Sequence, residues 1–97
     1  LLRERIMMLS PEFREECMKL YIAFKTKTNV VDVVPQKTRL RLSLNMKYED
    51  LDDPKGITRD VTDLGRWGNG DVEVSLSSPE ELEYVMFLIK QSLNKHS

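Results

Sequence analysis

Ninety-seven residues, 40% hydrophobic and 32% charged, suit one soluble globular domain with a modest core, and leave too little chain for two domains. The formal net charge of −1 means that the domain as a whole is not basic, and no apolar run approaches the roughly 20 residues that span a bilayer. One cysteine, Cys17, and one histidine, His96, exclude an internal disulfide and a cysteine-cluster zinc centre, and they argue against a Ser-His-Asp triad.

In chain order, residues 2–9 read as a helix with Leu2, Ile6 and Leu9 along one face. Ser10 can cap a second helix that has Pro11 at its first position and Glu12, Glu15 and Glu16 near its positive end, closing near Met18. Within it, Cys17 is expected to be a small core residue. Residues 21–24 then form a short apolar strand, 25–29 a polar turn, and Val30, Val31, Val33 and Val34 a β-branched strand that Pro35 ends. Leu40, Leu42, Leu44 and Met46 alternate with Arg39, Arg41, Ser43, Asn45 and Lys47, the period of a strand with one buried face. The acidic stretch 48–57, with Pro54 and Gly56, reads as a short helical turn and a mobile loop, and 59–64 as a short strand or extended segment. Asn69-Gly70 is a hairpin-type turn signal ahead of a strand in which Val72, Val74 and Leu76 alternate with Asp71, Glu73 and Ser75. Ser78 and Glu81 form a capping box with Pro79 at the first helical position. Leu82, Val85, Met86, Ile89 and Leu93 then stripe a helix running to about Asn94.

The expected fold is therefore α+β: an antiparallel sheet of about four to five strands, two N-terminal helices, and one long C-terminal helix packed on one face. All of 1–97 forms a single domain. There is no charged-then-apolar leader, the lone cysteine suits the reducing cytoplasm, and the chain does not begin with Met, which reads as one module of a longer protein.

Three residue sets can carry function. Gly65-Arg66-Trp67-Gly68-Asn69-Gly70-Asp71 holds three of the four glycines and the only tryptophan. Trp67 either plugs the edge of the core or, with Arg66, offers a platform for a flat group or a protein contact. The second set is basic. Residues 1–48 carry ten Lys/Arg against five Asp/Glu, and residues 49–97 carry five against eleven. Lys25, Lys27, Lys37, Arg39, Arg41 and Lys47 either form a solvated strand face paired with Asp71 and Glu73, or contact phosphates of nucleic acid. The third set, Asp60, Asp63, Asp71 and Glu73, either caps turns and pairs with Arg59, Arg66 and Arg41, or converges on a catalytic metal. The Glu-x-Lys element of restriction-type nucleases is absent, since Val74 and Ser75 follow Glu73. No cofactor pattern is present: there is no Walker loop, and the glycines at 65, 68 and 70 lead into a strand rather than a helix.

The runs 19–25 (Lys-Leu-Tyr-Ile-Ala-Phe-Lys) and 33–37 (Val-Val-Pro-Gln-Lys), the strand Leu40-Arg41-Leu42, and Arg59-Asp60-Val61 through Gly65, Trp67, Gly68, Gly70 and Asp71 together resemble an uncharacterised bacterial domain family. That family is sometimes labelled "predicted transport protein", and it often forms the C-terminal module of longer proteins, some with nuclease-like modules in front. The resemblance covers about residues 2–94. It implies no catalytic residue or ligand, and this chain offers no membrane segment to which a transport role could attach.

The leading functional expectation is a non-catalytic accessory or binding module, using Trp67, Arg66, Lys37, Arg39, Arg41, Lys25 and Lys27 toward nucleic acid or another domain of its parent protein. The alternatives are a structural dimerisation or docking domain, which makes a homo-oligomer admissible, and a metal-dependent hydrolase using the acidic set.

Overall fold

The computed structural model describes residues 2–62 and 71–96, so Trp67, Arg66, Asp63 and the Asn69-Gly70 turn signal lie outside the described residues. The elements are α1 (Leu2–Met8), β1 (Arg14–Cys17), β2 (Ile22–Lys25), β3 (Asn29–Pro35), β4 (Leu40–Leu44), β5 (Arg59–Asp60), β6 (Val72–Leu76) and α2 (Leu82–Lys95). The strands form one sheet of order β1-β2-β3-β4-β6-β5 with every neighbouring pair antiparallel.

The period-two residues dictate the core face. The register sets Val31, Val33 and Pro35 opposite Leu44, Leu42 and Leu40, and sets Leu44, Leu42 and Leu40 opposite Val72, Val74 and Leu76. α2 covers this face with Val85, Met86, Leu88, Ile89 and Leu93, and α1 packs beside it with Leu2 and Ile6. Each large side chain buried here contributes roughly 1.5–3 kcal/mol. Ser78 supplies the capping box, receiving the Glu80 N–H at 3.3 Å while its own N–H donates to Glu81 Oε1 at 3.1 Å. The first turn, Pro79–Glu81, is a 3-10 turn, and the α-helix runs from Leu82.

Two expectations about the N-terminal part are corrected. The α+β class holds, but the sheet has six strands and one short helix precedes it. The helix signals at Ser10-Pro11 are used up within one turn: Ser10 Oγ accepts the Glu12 N–H at 3.1 Å, and the Phe13 N–H reaches the Ser10 carbonyl at 3.3 Å. Phe13 is then buried, and Arg14–Cys17 pairs with β2 through a turn closed by Met18 N–H to the Tyr21 carbonyl at 2.8 Å. Pairing and the burial of Phe13 outweigh a local propensity worth a few tenths of a kcal/mol per residue. Cys17 is consequently exposed on an edge strand rather than packed in the core.

A bulge tunes the centre of the sheet. The register shifts between Phe24 and Lys25, which leaves Val30 outside the ladder. Its carbonyl instead accepts the Asn45 N–H at 3.0 Å and the buried Ser92 hydroxyl at 2.7 Å from α2. Asn45 in turn offers its carbonyl to His96 Nε2 at 2.6 Å, which ties down the end of the helix.

The acidic stretch expected to be a mobile loop is docked. Asp53-Pro54-Lys55-Gly56 forms a turn closed by Gly56 N–H to the Asp53 carbonyl at 3.0 Å, with Gly56 at φ +63°. Asp53 accepts from the Thr58 N–H and hydroxyl, from the Gly56 N–H, and from the Tyr84 hydroxyl of α2. Gln91 exchanges two 2.8 Å hydrogen bonds with the Asp52 backbone, and Lys55 lies 4.7 Å from the centre of the Tyr84 ring.

Candidate functional site

On the face away from α2, the register aligns one residue from each of five strands: Ala23, Asp32, Ser43, Glu73 and Arg59. Ala23, Asp32 and Ser43 are buried, Glu73 is half-buried and Arg59 is exposed, so this row opens toward the β6–β5 edge. The next row carries Val34, Arg41 and Ser75. Arg41 Nε stands 3.5 Å from Glu73 Oε2, and Arg59 Nη1 stands 3.9 Å from Glu73 Oε1.

Beside this pair of contacts lies a cleft of about 380 Å³ lined by Arg39, Ile57, Arg59, Glu73, Val74, Ser75, Ser77 and Glu81. The docked loop supplies Ile57, the β3–β4 turn supplies Arg39, and the start of α2 supplies Ser77 and Glu81. Gln36 Oε1 takes the Arg39 Nε–H at 3.1 Å, which orients the guanidinium and leaves its two Nη groups without a described acceptor. Glu81 is occupied by the helix start. It accepts from the Ser77 N–H at 2.9 Å, the Ser77 hydroxyl at 3.2 Å and the Ser78 N–H at 3.1 Å, and these contacts, led by the Ser77 N–H, hold its pKa below the usual carboxylate range. The cleft thus holds two guanidiniums, from Arg39 and Arg59, and two carboxylates, Glu73 and Glu81, with Arg41 beside it; Arg41 and Arg59 both approach Glu73, and neither contact is short enough to be a hydrogen bond. A weakly held, partly exposed cation set of this kind suits an anion.

The basic set expected from the sequence is split. Lys37, Arg39 and Arg41 lie at the Pro35 end of β3. Lys25 and Lys27 lie at its Asn29 end, about 20 Å away for a seven-residue strand, and Lys25 there pairs with Glu16 at 3.7 Å. Lys47 lines a different cleft with Tyr48, Glu49, Asp60, Thr62 and Asp71. Arg59 enters instead; sequence patterning treats it as an ion-pair partner of the acidic set, and only the pairing of β5 with β6 reveals where it sits. Ile57, Ser75 and Ser77 carry no sequence signal of their own beyond the parity of β6.

Among the described members of the acidic set, Glu73 stands apart from Asp60 and Asp71, which line the Lys47 cleft together. Asp60 accepts from the Thr62 hydroxyl at 2.6 Å and its N–H at 3.0 Å, and its register places it on the face opposite Glu73. Among the described residues no three His, Cys, Asp or Glu side chains gather as a metal ion requires. Likewise, no described helix is long and apolar enough to cross a membrane.

An antiparallel six-stranded sheet backed by one long helix, with a cleft lined by Arg39 and Arg59 on its far face, defines a small α+β domain. The family model described as a domain of unknown function, DUF5655, matches residues 1–94, and the chain belongs to that family. An uncharacterised protein of Haemophilus influenzae is 42% identical over 91 residues, which cover 94% of this chain and 30% of that protein. The chain thus spans under a third of the length of the relative it matches. No solved structure matches it.

Proposed function

We propose that this domain is a non-catalytic accessory module that binds nucleic acid through the Arg39–Arg59 cleft and the adjoining Arg41, as part of a longer cytoplasmic protein. The observation that supports the reading is a group of three guanidiniums on a face that no described helix covers, Arg39 and Arg59 in the cleft and Arg41 beside it: Arg41 and Arg59 share Glu73 through long contacts, Arg39 has no described carboxylate partner, and Glu81 is held by the helix start. Phosphate oxygens replace a long Glu73 contact at small cost, because partly exposed pairs of this kind contribute about 0–1 kcal/mol. Lys37, in the same turn as Arg39, extends the positive rim, and Arg66 and Trp67 remain candidate contributors. Lys25 and Lys27 belong to a separate surface and are not needed for it.

The test is titration of labelled oligonucleotides with the wild-type chain and with Arg39→Glu/Arg59→Glu, chosen because both side chains are exposed and the core face is untouched. Binding at low salt that the double variant loses, with its circular dichroism unchanged, is the expected outcome. A wild-type chain that leaves every oligonucleotide unbound at about 50 mM salt removes the reading.

A further inference from the structure

Resting on that reading, we infer that the cleft takes single-stranded nucleic acid, one unpaired nucleotide seated in it, in preference to duplex. The first ground is what lies beside the cations. Two carboxylates share the cleft with Arg39 and Arg59: Glu81, taken up by the helix start and the Ser77 hydroxyl, and Glu73, held only by long contacts to Arg41 and Arg59, with the Ser75 hydroxyl nearby. Phosphate contact alone makes no use of a carboxylate acceptor. The amino edge of a base does, and that edge is within reach only when the base is unpaired. The second ground is shape. The arginines sit on a sheet face between the Ile57 loop and the turn at Pro79–Glu81, and not on a projecting helix or ribbon of the kind that enters a duplex groove. The third is the apolar wall. Ile57 is 41% exposed, large for an isoleucine, and it faces the same space as the planar Arg59 guanidinium, whose side chain is 67% exposed. An unpaired base covers the one and stacks on the other. The fourth is the split of the basic set, which leaves the cleft only two to three phosphate contacts and no second stripe of charge to follow the other strand.

The experiment uses the full chain and a short mixed-sequence oligonucleotide, as single strand and as duplex, followed by fluorescence anisotropy at about 50 and about 200 mM salt. Single strands are expected to bind about tenfold or more tightly than duplex, with a log–log salt slope of about −1.5 to −2, as two to three phosphates at about −0.7 each imply. Ile57→Ala is expected to weaken single-strand binding several-fold while leaving the salt slope unchanged, because it removes no charge. Equal or tighter binding of duplex overturns this inference and leaves the accessory-module reading standing. An Ile57→Ala variant that binds like wild type overturns the seated nucleotide. Absence of binding to both probes overturns the reading itself.

Discussion

Asp53 is a single residue on which the placement of a whole loop depends. Its carboxylate gathers hydrogen bonds from Thr58, Gly56 and Tyr84, and so holds the segment that delivers Ile57 and Arg59 to the cleft. Burial pulls its pKa upward. The Thr58 hydroxyl, the Tyr84 hydroxyl and the Thr58 and Gly56 N–H groups outweigh that, and the net direction is downward. Tyr84→Phe keeps the ring beside Lys55 and Phe87 but removes one donor, so a urea titration should show a loss of about 0.5–1.5 kcal/mol. A wild-type midpoint would mean that the loop does not depend on this contact. Ser43 presents the opposite case. Its hydroxyl is buried without a hydrogen-bond partner among the described residues, between Asp32 and Glu73 in the register. Removing an unsatisfied group returns its desolvation cost, so Ser43→Ala should leave the melting temperature unchanged or raise it. A clear fall in that temperature would show that the hydroxyl is engaged in solution.

Among the elements, α2 carries the strongest local signals and the largest buried stripe, and the two contributions separate by mutation. Ser78→Ala removes the cap and should cost about 1 kcal/mol. Leu88→Ala empties a fully buried site on the sheet-facing stripe and should cost about 2–5 kcal/mol. Equal losses in the two variants would contradict this ranking of cap below core. The same contrast explains what was legible in the sequence. β4, β6 and α2 are written in their own residues: alternation at Leu40, Leu42 and Leu44 and at Val72 and Val74, a capping box at Ser78 and Glu81, and a helical stripe after it. β1 is not, because an edge strand with three charged residues in four has no apolar period, and its state is settled by pairing with β2. Those charges also oppose self-association at that edge. A symmetric antiparallel pairing of two β1 strands centred between Glu15 and Glu16 sets carboxylate against carboxylate. Half of the cleft was legible. Arg39 in the cleft and Arg41 beside it stand out on their strand, whereas Arg59 reaches them through a two-residue strand paired with β6. Lys25 and Lys27 are misplaced by any reading that ignores which end of β3 each turn occupies.

For the whole molecule, the charge asymmetry along the chain is partly resolved by folding. Arg5 grips Glu83 with both Nη groups at 2.5 and 2.9 Å, and Arg41 meets Glu73, joining the basic first half to the acidic second. Arg3–Glu15 and Lys25–Glu16 stay within the first half. The carboxylates engaged in the second half set the acid stability. Asp53, Asp60, Glu81 and Glu83 all titrate below their ordinary values. The Thr62 hydroxyl leads for Asp60, the Ser77 N–H for Glu81 and the Arg5 guanidinium for Glu83, while Asp53 is lowered by its hydrogen bonds in spite of burial. Each is ionised in the native state at a pH where the unfolded chain has begun to bind a proton. Between the two pKa values the unfolded state holds more protons, so stability rises with pH across that window. The contribution is complete above the unfolded carboxylate pKa of about 4 and is lost as pH falls through the lower native values. Urea midpoints measured from about pH 6 downward should therefore hold level and then drop below about pH 4. In Asp53→Asn the drop should be shallower, since one of the four linked protons is gone, even though that variant starts from a lower plateau. An acid limb of equal steepness in wild type and Asp53→Asn would show that the loop carboxylate is not held in its native contacts, and the fixed placement of Ile57 and Arg59 would fail with it.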